Sequence, residues 1–427
     1  MALAICCLVQ MHPSRAEDFI LRKAVEFTPR GALQNFFRKL TEGKTVTVAY
    51  LGGSITAQHG WRVQSQQWFE EQYPQATVNG IPAAIGGTGS DLGVFRMEHD
   101  VLAHKPDLLF VEFAVNDVGT NPENLIKAME GIVRKTWKAN PETDICFVYT
   151  MTFRESQTLA NGTMHRAASV MESLADHYDI PSIHMGYQAA LLEKEGKLVM
   201  KSDEDTIKLS RDEPIETTNS VSVPIIFSKD GVHPHPDTGH VLYTQALIRS
   251  LKQIKDKTGV SPHPVMTPMR EDNLEGARQY PIDPKYLSGP YTDLRKAGET
   301  NFAKEMPQLF RLEPGATLSY KFKGTGVGIY DLLAYDSSEV EVTIDGETKK
   351  RTRMDGHSTN QRLSKFGISF DLEDTLHEVT IRVLDTKLDK REILYESKRG
   401  DYDKNPEKYA PHYWFPGAIF IVGEMVE

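Results

Sequence analysis

The first half of the chain alternates between short apolar runs and longer stretches with helical periodicity. The runs are rich in β-branched or aromatic residues, which is typical of buried strands. Strands that alternate with helices predict βαβ units, and hence a parallel sheet covered by helices on both faces. The predicted strands are 45–51, 107–113, 144–151 and a shorter one around Ile183, and the predicted helices are about 61–72, 90–103, 122–138, 164–178 and 240–254.

Beyond residue 290 the pattern changes to a period of two. Val340, Val342 and Ile344 alternate with polar residues, and Asp345-Gly346 follows as a hairpin turn signal. The same alternation occurs in two further segments, 318–322 and 379–383. Several short alternating strands predict an antiparallel β-sandwich of the jelly-roll kind.

Two segments interrupt these patterns. Residues 188–228 are polar and lack a clear period, which predicts an inserted loop or flap. Six prolines lie between Pro262 and Pro290, and they predict an extended, irregular linker. The predicted organisation is a signal peptide at 1–16, an N-terminal segment at 17–43, an α/β domain at 44–254, a proline-rich linker at 255–290 and a β-sandwich at 291–427.

Composition narrows the class of protein. Hydrophobic residues make up 40% of the 427 residues and charged residues 25%, as in ordinary soluble proteins. The formal net charge of −10 argues against nucleic acid or an anionic membrane as a partner, because both favour a basic surface. Beyond the N-terminus, no stretch reaches the roughly 18–20 apolar residues of a membrane span.

The N-terminus has features of an export signal. An apolar run at 1–9 precedes Ser14 and Ala16, whose small side chains fit cleavage after Ala16, although the usual basic segment is missing. We therefore expect a periplasmic or extracellular protein. Removal of this stretch takes away Cys6 and Cys7 and leaves Cys146, which lies in an apolar run and is expected to be buried.

Three short motifs follow predicted strands and could carry chemistry. Ser54 follows Gly52-Gly53 at the carboxyl end of a strand, where open α/β sheets bind their ligands. The glycine-rich loop at 86–91 is interpreted either as a flexible turn with a helix cap or as an oxyanion hole. The Asn116 amide is a candidate oxyanion donor, although Asn-Asp pairs also favour simple turns.

A fourth motif, Asp230-Gly231-Val232-His233, could pair a carboxylate with an imidazole. A catalytic histidine needs such a carboxylate to hold its tautomer, and the glycine lets the two side chains meet on one tight loop. The neighbouring His235, Asp237 and His240 leave a second interpretation open, a site for zinc or another divalent metal.

Together these motifs resemble the SGNH hydrolases, also called GDSL-type esterases. Gly53-Ser54 matches the nucleophile block, and Gly87 matches the oxyanion glycine, with Gly86 as the other candidate. Asn116-Asp117 matches the third block, with Ala114 where glycine is usual. Asp230 and His233 match the last block, and Gly93 and Arg96 continue the second. The resemblance covers about residues 44–254.

The resemblance implies a flavodoxin-like α/β/α fold and a serine esterase without metal or organic cofactor. Ser54 would be the nucleophile, His233 its base and Asp230 the residue that orients His233. The oxyanion hole would comprise the backbone N–H groups of Ser54 and Gly87 and the side chain of Asn116.

A weaker resemblance links the chain to bacterial polysaccharide O-acetylesterases that carry an appended β-sandwich. It implies an acetylated carbohydrate as substrate. Tyr413 and Trp414 could stack on sugars, or they could be buried inside the β-sandwich. A lipase or thioesterase, and a carbohydrate-binding protein without catalysis, remain alternatives.

Overall fold

The computed structural model describes residues 20–205, 207–213, 215 and 224–426. The predicted signal peptide and part of the predicted insertion lie outside these residues. Strands of the first part are β1 (Phe27–Thr28), β2 (Thr45–Gly52), β3 (Thr77–Ala84), β4 (Leu108–Glu112), β5 (Asp144–Tyr149), β6 (Ser182–His184), β7 (Leu198–Val199) and β8 (Ile225–Ile226). Its helices are α1 (Gln34–Thr41), α2 (Ser54–Ala57), α3 (Trp61–Gln72), α4 (Ser90–Gly93), α5 (Met97–Asp100), α6 (Pro122–Ala139), α7 (Phe153–Ala160), α8 (Arg166–Tyr178), α9 (Tyr187–Lys194) and α10 (Gly239–Ile254).

Strands β1 to β6 form one sheet in the order β1-β6-β5-β4-β2-β3. Strands β2 to β6 are parallel, and β1 pairs antiparallel with β6 at the edge. All residues of β4 and β5 are buried, because helices cover both faces of the sheet. The expected flavodoxin-like α/β/α sandwich is therefore confirmed.

The second part is built on antiparallel pairing. Its strands are β9 (Ala277–Pro281), β10 (Leu287–Ser288), β11 (Tyr291–Asp293), β12 (Phe310–Leu312), β13 (Thr317–Leu333), β14 (Glu339–Ile344), β15 (Glu347–Thr352), β16 (Arg362–Ser369), β17 (Thr375–Val383) and β18 (Phe415–Val426). Its helices α11 (Leu294–Ala297), α12 (Lys390–Ile393) and α13 (Arg399–Lys404) are short.

The long strand β13 organises this second domain. It pairs with β18 along one edge, and along the other edge it pairs first with β17 and then with β16. Strand β14 continues the sheet beyond β17, and the Asp345-Gly346 turn joins it to β15 as predicted. The expected antiparallel β-sandwich is confirmed.

The two domains share a hydrophobic core. Phe95 of the first domain stacks on Phe420 of β18 with ring centroids 4.7 Å apart. The Lys135 ammonium on α6 donates to the carbonyl oxygens of Val94 (2.8 Å) and Ala277. Strand β9, which includes Ala277, lies inside the segment predicted as a linker and pairs with β18. Part of that segment thus belongs to the large sheet.

Some elements differ from the sequence predictions. Strand β3 was not predicted, because its sequence Thr-Val-Asn-Gly-Ile-Pro-Ala-Ala lacks an apolar run. The helix predicted at 90–103 is broken into α4, α5 and a 3-10 turn at Leu102–His104. The predicted insertion at 188–228 contains most of α9 and the paired strands β7 and β8. No described helix has both the length and the apolar character that a membrane span requires.

Candidate active site

The predicted site residues converge at the carboxyl edge of the parallel sheet. Ser54 is the first residue of α2, directly after β2. Gly87 lies between β3 and α4, and Asn116 follows β4. Asp230 and His233 lie on the loop between β8 and α10. Because β2 lies between β3 and β4 in the sheet, the loops after these three strands are neighbours.

Ser54, His233 and Asp230 form a continuous chain of hydrogen bonds. His233 Nε2 lies 2.9 Å from Ser54 Oγ, and His233 Nδ1 lies 2.6 Å from Asp230 Oδ2. An ionised carboxylate only accepts hydrogen bonds, so Nδ1 must carry the proton. In neutral His233, Nε2 is then free to accept the proton of the Ser54 hydroxyl.

The Asp230 carboxylate is held in its ionised form. Partial burial acts to raise its pKa, but the hydrogen bond from the His233 ring and those from the backbone N–H groups of His233 and Val232 lower the pKa to about 2. Both backbone groups donate to Asp230 Oδ1 at 2.8 Å. The carboxylate is therefore negatively charged at neutral pH.

The loop that carries Asp230 and His233 has a defined shape. Gly231 adopts a left-handed conformation (φ +84°), and a Cβ atom there would lie 2.6 Å from the Phe153 ring. The Gly231 N–H donates to Ser228 Oγ (2.8 Å), and its carbonyl accepts from the Phe153 N–H (2.8 Å). These contacts fold the loop so that the carboxylate reaches back to its own histidine.

Asn116 lies directly against the turn that carries the candidate nucleophile. A Cβ atom on Gly53 would lie 2.0 Å from Asn116 Oδ1, so any larger residue at position 53 would displace the Asn116 side chain. Within the described part of the chain, the half-buried Asn116 amide makes no hydrogen bond. Its N–H₂ group is thus available to a ligand beside Ser54.

The glycine loop approaches Ser54 from the other side. A Cβ atom on Gly86 would lie 3.7 Å from Ser54 Cβ, which places this residue in contact with the serine. Gly87 adopts a left-handed conformation (φ +74°), and a Cβ atom there would meet no atom within 4 Å. The arrangement therefore leaves open space beside the Gly87 backbone, next to the serine.

The second-block residues Gly93 and Arg96 have structural contacts. A Cβ atom on Gly93 would lie 2.7 Å from the Phe113 ring, so α4 packs closely against the sheet. The buried Arg96 guanidinium donates to the carbonyl of Ala83 at 2.6 Å and pairs with Asp100. These contacts fix α4, and with it the end of the glycine loop.

The structure also places a buried carboxyl group beneath the serine turn, which none of the sequence motifs indicated. Glu112, the last residue of β4, accepts hydrogen bonds from the hydroxyls of Thr56 (2.9 Å) and Thr150 (2.6 Å). Burial raises the pKa of Glu112 to about 7. The hydrogen bonds that its carboxylate accepts, including one from the Gly53 N–H, act in the opposite direction and lower the pKa. A charged residue inside an apolar run was the signal that could have revealed it.

The residues of the metal interpretation do not converge. The buried His240 accepts a hydrogen bond from the Trp61 N–H at Nδ1 (3.2 Å), and its Nε2 lies 3.1 Å from Gln58 Oε1. Asp237 is exposed and forms an ion pair with Lys208. Among the described residues, no group of three or more potential ligands is arranged to hold a metal ion.

The remaining candidates are buried or partly buried. Cys146 is fully buried in β5, as expected. Trp414 is fully buried, and its indole N–H donates to Asp331 at 2.9 Å, so it is not available to stack on a sugar. Tyr413 is half-buried, with the Arg311 guanidinium 5.2 Å from its ring centroid.

Comparison with known proteins covers both domains. Residues 50–240 match the model of the GDSL-like lipase/acylhydrolase family. A crystal structure of a two-domain esterase (CEX) active on acetylated mannans, co-crystallized with mannopentaose, is 19% identical over 94% of this chain and 98% of that chain, with a TM-score of 0.71. A second structure of such an esterase is 17% identical over the same shares, with a TM-score of 0.67. No curated protein sequence matches this chain.

At such low identity the structural likeness establishes the fold, and it extends over both domains of this chain. The family match spans the stretch from β2 to the start of α10 and thus all the predicted site residues. The α/β domain accordingly belongs to the GDSL-like lipase/acylhydrolase family, and the chain is a carboxylic ester hydrolase with an added β-sandwich.

Proposed function

We propose that the protein removes acetyl or other short acyl groups from a carbohydrate, with Ser54 as nucleophile. The observation that carries the proposal is the hydrogen-bond chain from Ser54 through His233 to Asp230. The carbohydrate part rests on the likeness of both domains to an esterase active on acetylated mannans.

The first half of the proposed reaction forms an acyl-enzyme. Ser54 Oγ attacks the ester carbonyl while its proton passes to His233 Nε2. The Asp230 carboxylate stabilises the resulting imidazolium through Nδ1–H. His233 then gives the proton to the departing sugar oxygen, so the sugar leaves as an alcohol.

The second half releases the acid. Water attacks the acyl-Ser54 ester, His233 takes the water proton, and this proton returns to Ser54 Oγ as the carboxylic acid leaves. In both halves the carbonyl oxygen becomes negative. The proposed donors to it are the N–H groups of Ser54 and Gly87 and the Asn116 amide, and the loss of one such donor typically costs about 10²–10³ in turnover.

The test compares acyl chain length and dependence on the serine. Wild-type protein and Ser54→Ala are assayed on p-nitrophenyl acetate, p-nitrophenyl octanoate and acetylated manno- and xylo-oligosaccharides. Ser173→Ala, on α8, is a matched control because, among the described residues, the Ser173 hydroxyl hydrogen-bonds only to the Ser169 carbonyl. We expect Ser54-dependent release of acetate and little cleavage of octanoate.

Other outcomes favour the alternatives. A strong preference for octanoate would favour a lipase or thioesterase and would contradict the acetyl part of the proposal. Glycan binding without turnover, unchanged in Ser54→Ala, would favour a non-catalytic carbohydrate-binding protein.

Export to the periplasm or the cell exterior is also proposed, from the apolar N-terminal run and the small residues Ser14 and Ala16.

A further inference from the structure

Two carboxylates lie close together on the two loops that carry the proposed oxyanion donors. Asp117 follows Asn116, and Asp91 is the second residue of α4, just after the glycine loop. Asp117 Oδ1 and Asp91 Oδ1 lie 2.2 and 3.2 Å from the position that a Cβ atom on Gly89 would occupy. These two oxygens are therefore no more than about 5.4 Å apart, and carboxylates this close repel each other when both are ionised unless a cation offsets their charge.

Asp117 connects the two loops that carry these donors. It is 2% exposed, and its carboxylate accepts the Ser90 N–H at 3.2 Å (Oδ2) and 3.3 Å (Oδ1). Burial is the main cause that raises its pKa to about 6, and the charge of Asp91 raises it further, whereas Lys365 lowers it. A shift of Asp117 would move Asn116 on one side and the glycine loop on the other.

The balancing cation comes from the other domain. Lys365 lies on β16, and its ammonium forms an ion pair with Asp91 Oδ2. Within the described part of the chain, Lys365 is the only basic residue that pairs with Asp91. The Lys365 and Asp91 side chains are 25% and 41% exposed, so the pair lies at the edge of the domain interface.

The position of Lys365 is supported by aromatic packing across the interface. Phe370, just beyond β16, contacts Phe95 with ring centroids 5.8 Å apart, and Phe95 in turn stacks on Phe420. The Lys365 ammonium itself lies 5.8 Å from the Phe370 ring centroid. Strand β16 is thus anchored close to the helix that follows the glycine loop.

We propose that Lys365 is a positioning residue: its positive charge offsets the repulsion between Asp91 and Asp117 and so holds the oxyanion loops in place from the second domain. The inference rests on the proposed function. It gives the β-sandwich a part in the reaction that needs no contact between this domain and the reacting atoms.

The experiment removes the charge and keeps the side-chain length. Lys365→Met retains packing against Phe370 but leaves two adjacent carboxylates without their cation. We expect kcat on p-nitrophenyl acetate to fall roughly tenfold with KM nearly unchanged, because small displacements of catalytic groups cost up to about 10²-fold. Lys365→Arg, which keeps the charge, should retain most of the activity.

A second substitution distinguishes positioning from general stability. Asp91→Asn removes one of the two repelling charges, so Lys365→Met should cost far less kcat in the Asp91→Asn background than in the wild type. Lys127→Met is the matched control, because Lys127 pairs with Asp272 (2.6 Å) and lines, together with Lys365 and Asp91, an interdomain cavity of about 650 Å³. Its kcat should stay within about twofold of wild type.

The outcomes are distinguishable. A Lys365→Met protein with wild-type kcat, or an equal loss in the Asp91→Asn background, overturns this inference while the proposed function stands. A wild-type protein without Ser54-dependent esterase activity overturns both. Melting temperatures are measured for every variant, and Lys365→Gln replaces Lys365→Met if the latter does not fold.

Discussion

The contact between Gly53 and Asn116 predicts that a single added methyl group disables an oxyanion donor. In Gly53→Ala the new Cβ atom would lie 2.0 Å from Asn116 Oδ1 and 2.6 Å from Asn116 Cγ. The backbone at position 53 is extended (φ −94°, ψ −153°) and is accessible to alanine. The cost therefore falls on the Asn116 side chain rather than on the turn.

The magnitude follows from the overlap. Real Cβ atoms essentially never approach another heavy atom closer than 3.0 Å, so the Asn116 side chain has to move by about 1 Å or rotate away. If its amide no longer reaches the oxyanion, the loss is that of one donor, about 10²–10³ in kcat or roughly 3–4 kcal/mol. KM should change little, because the interaction is made mainly in the transition state.

The assay is a double-mutant cycle on p-nitrophenyl acetate. Gly53→Ala and Asn116→Ala should each lower kcat by about 10²-fold, and the double variant should be scarcely worse than either alone. Gly119→Ala, three residues beyond Asn116, is the control, because a Cβ atom there meets nothing within 4 Å. A Gly53→Ala enzyme within threefold of wild type, or losses that multiply, would refute the reasoning.

Three further predictions concern the same site. Ser54→Ala and His233→Ala should lose similar, large amounts of kcat, and the double variant no more, because the residues act as a unit; additive losses in steady-state kinetics would contradict this. Asp230→Asn should fold normally but lose several orders of magnitude in kcat, because Nδ1 of His233 loses its charged acceptor; near-normal turnover would argue against its role. Burial favours the protonated form of Glu112, and its pKa is raised from 4.5 to about 7 in the folded protein. The protonated side chain therefore contributes stability that is fully present below pH 4.5 and is lost as the pH rises through 7. The unfolding free energy of wild type should therefore fall by about 3 kcal/mol relative to Glu112→Gln between pH 4.5 and 8, and parallel curves would contradict the burial argument.

The parts of the fold that were predicted from sequence are those with strong local patterns. The apolar runs at 45–51 and 144–151 became β2 and β5, and the helix predicted at 61–72 coincides with α3. Edge strand β3 was not predicted, because its side chains are only partly buried and its sequence contains Gly80 and Pro82. Tertiary pairing with β2, which no local pattern encodes, makes it a strand.

The same distinction applies to the site. Ser54, Asn116, Asp230 and His233 could be proposed from the sequence because each belongs to a short motif after a strand or in a tight loop. The Lys365 contact with Asp91 joins two domains far apart in the sequence, and such a pair has no signature along one chain. The side chains proposed to fix the loops are thus less predictable than those proposed to react.

The most direct test of the central claim is covalent labelling of the proposed nucleophile. The protein is treated with diethyl p-nitrophenyl phosphate, which phosphorylates activated serines, and the tryptic peptide 45–62 is examined by mass spectrometry. Ser54 is the only serine of this peptide. We predict stoichiometric diethylphosphorylation at Ser54 in parallel with loss of esterase activity, and much slower labelling in His233→Ala. Full inactivation with the label elsewhere, or retained activity with Ser54 modified, would contradict the account.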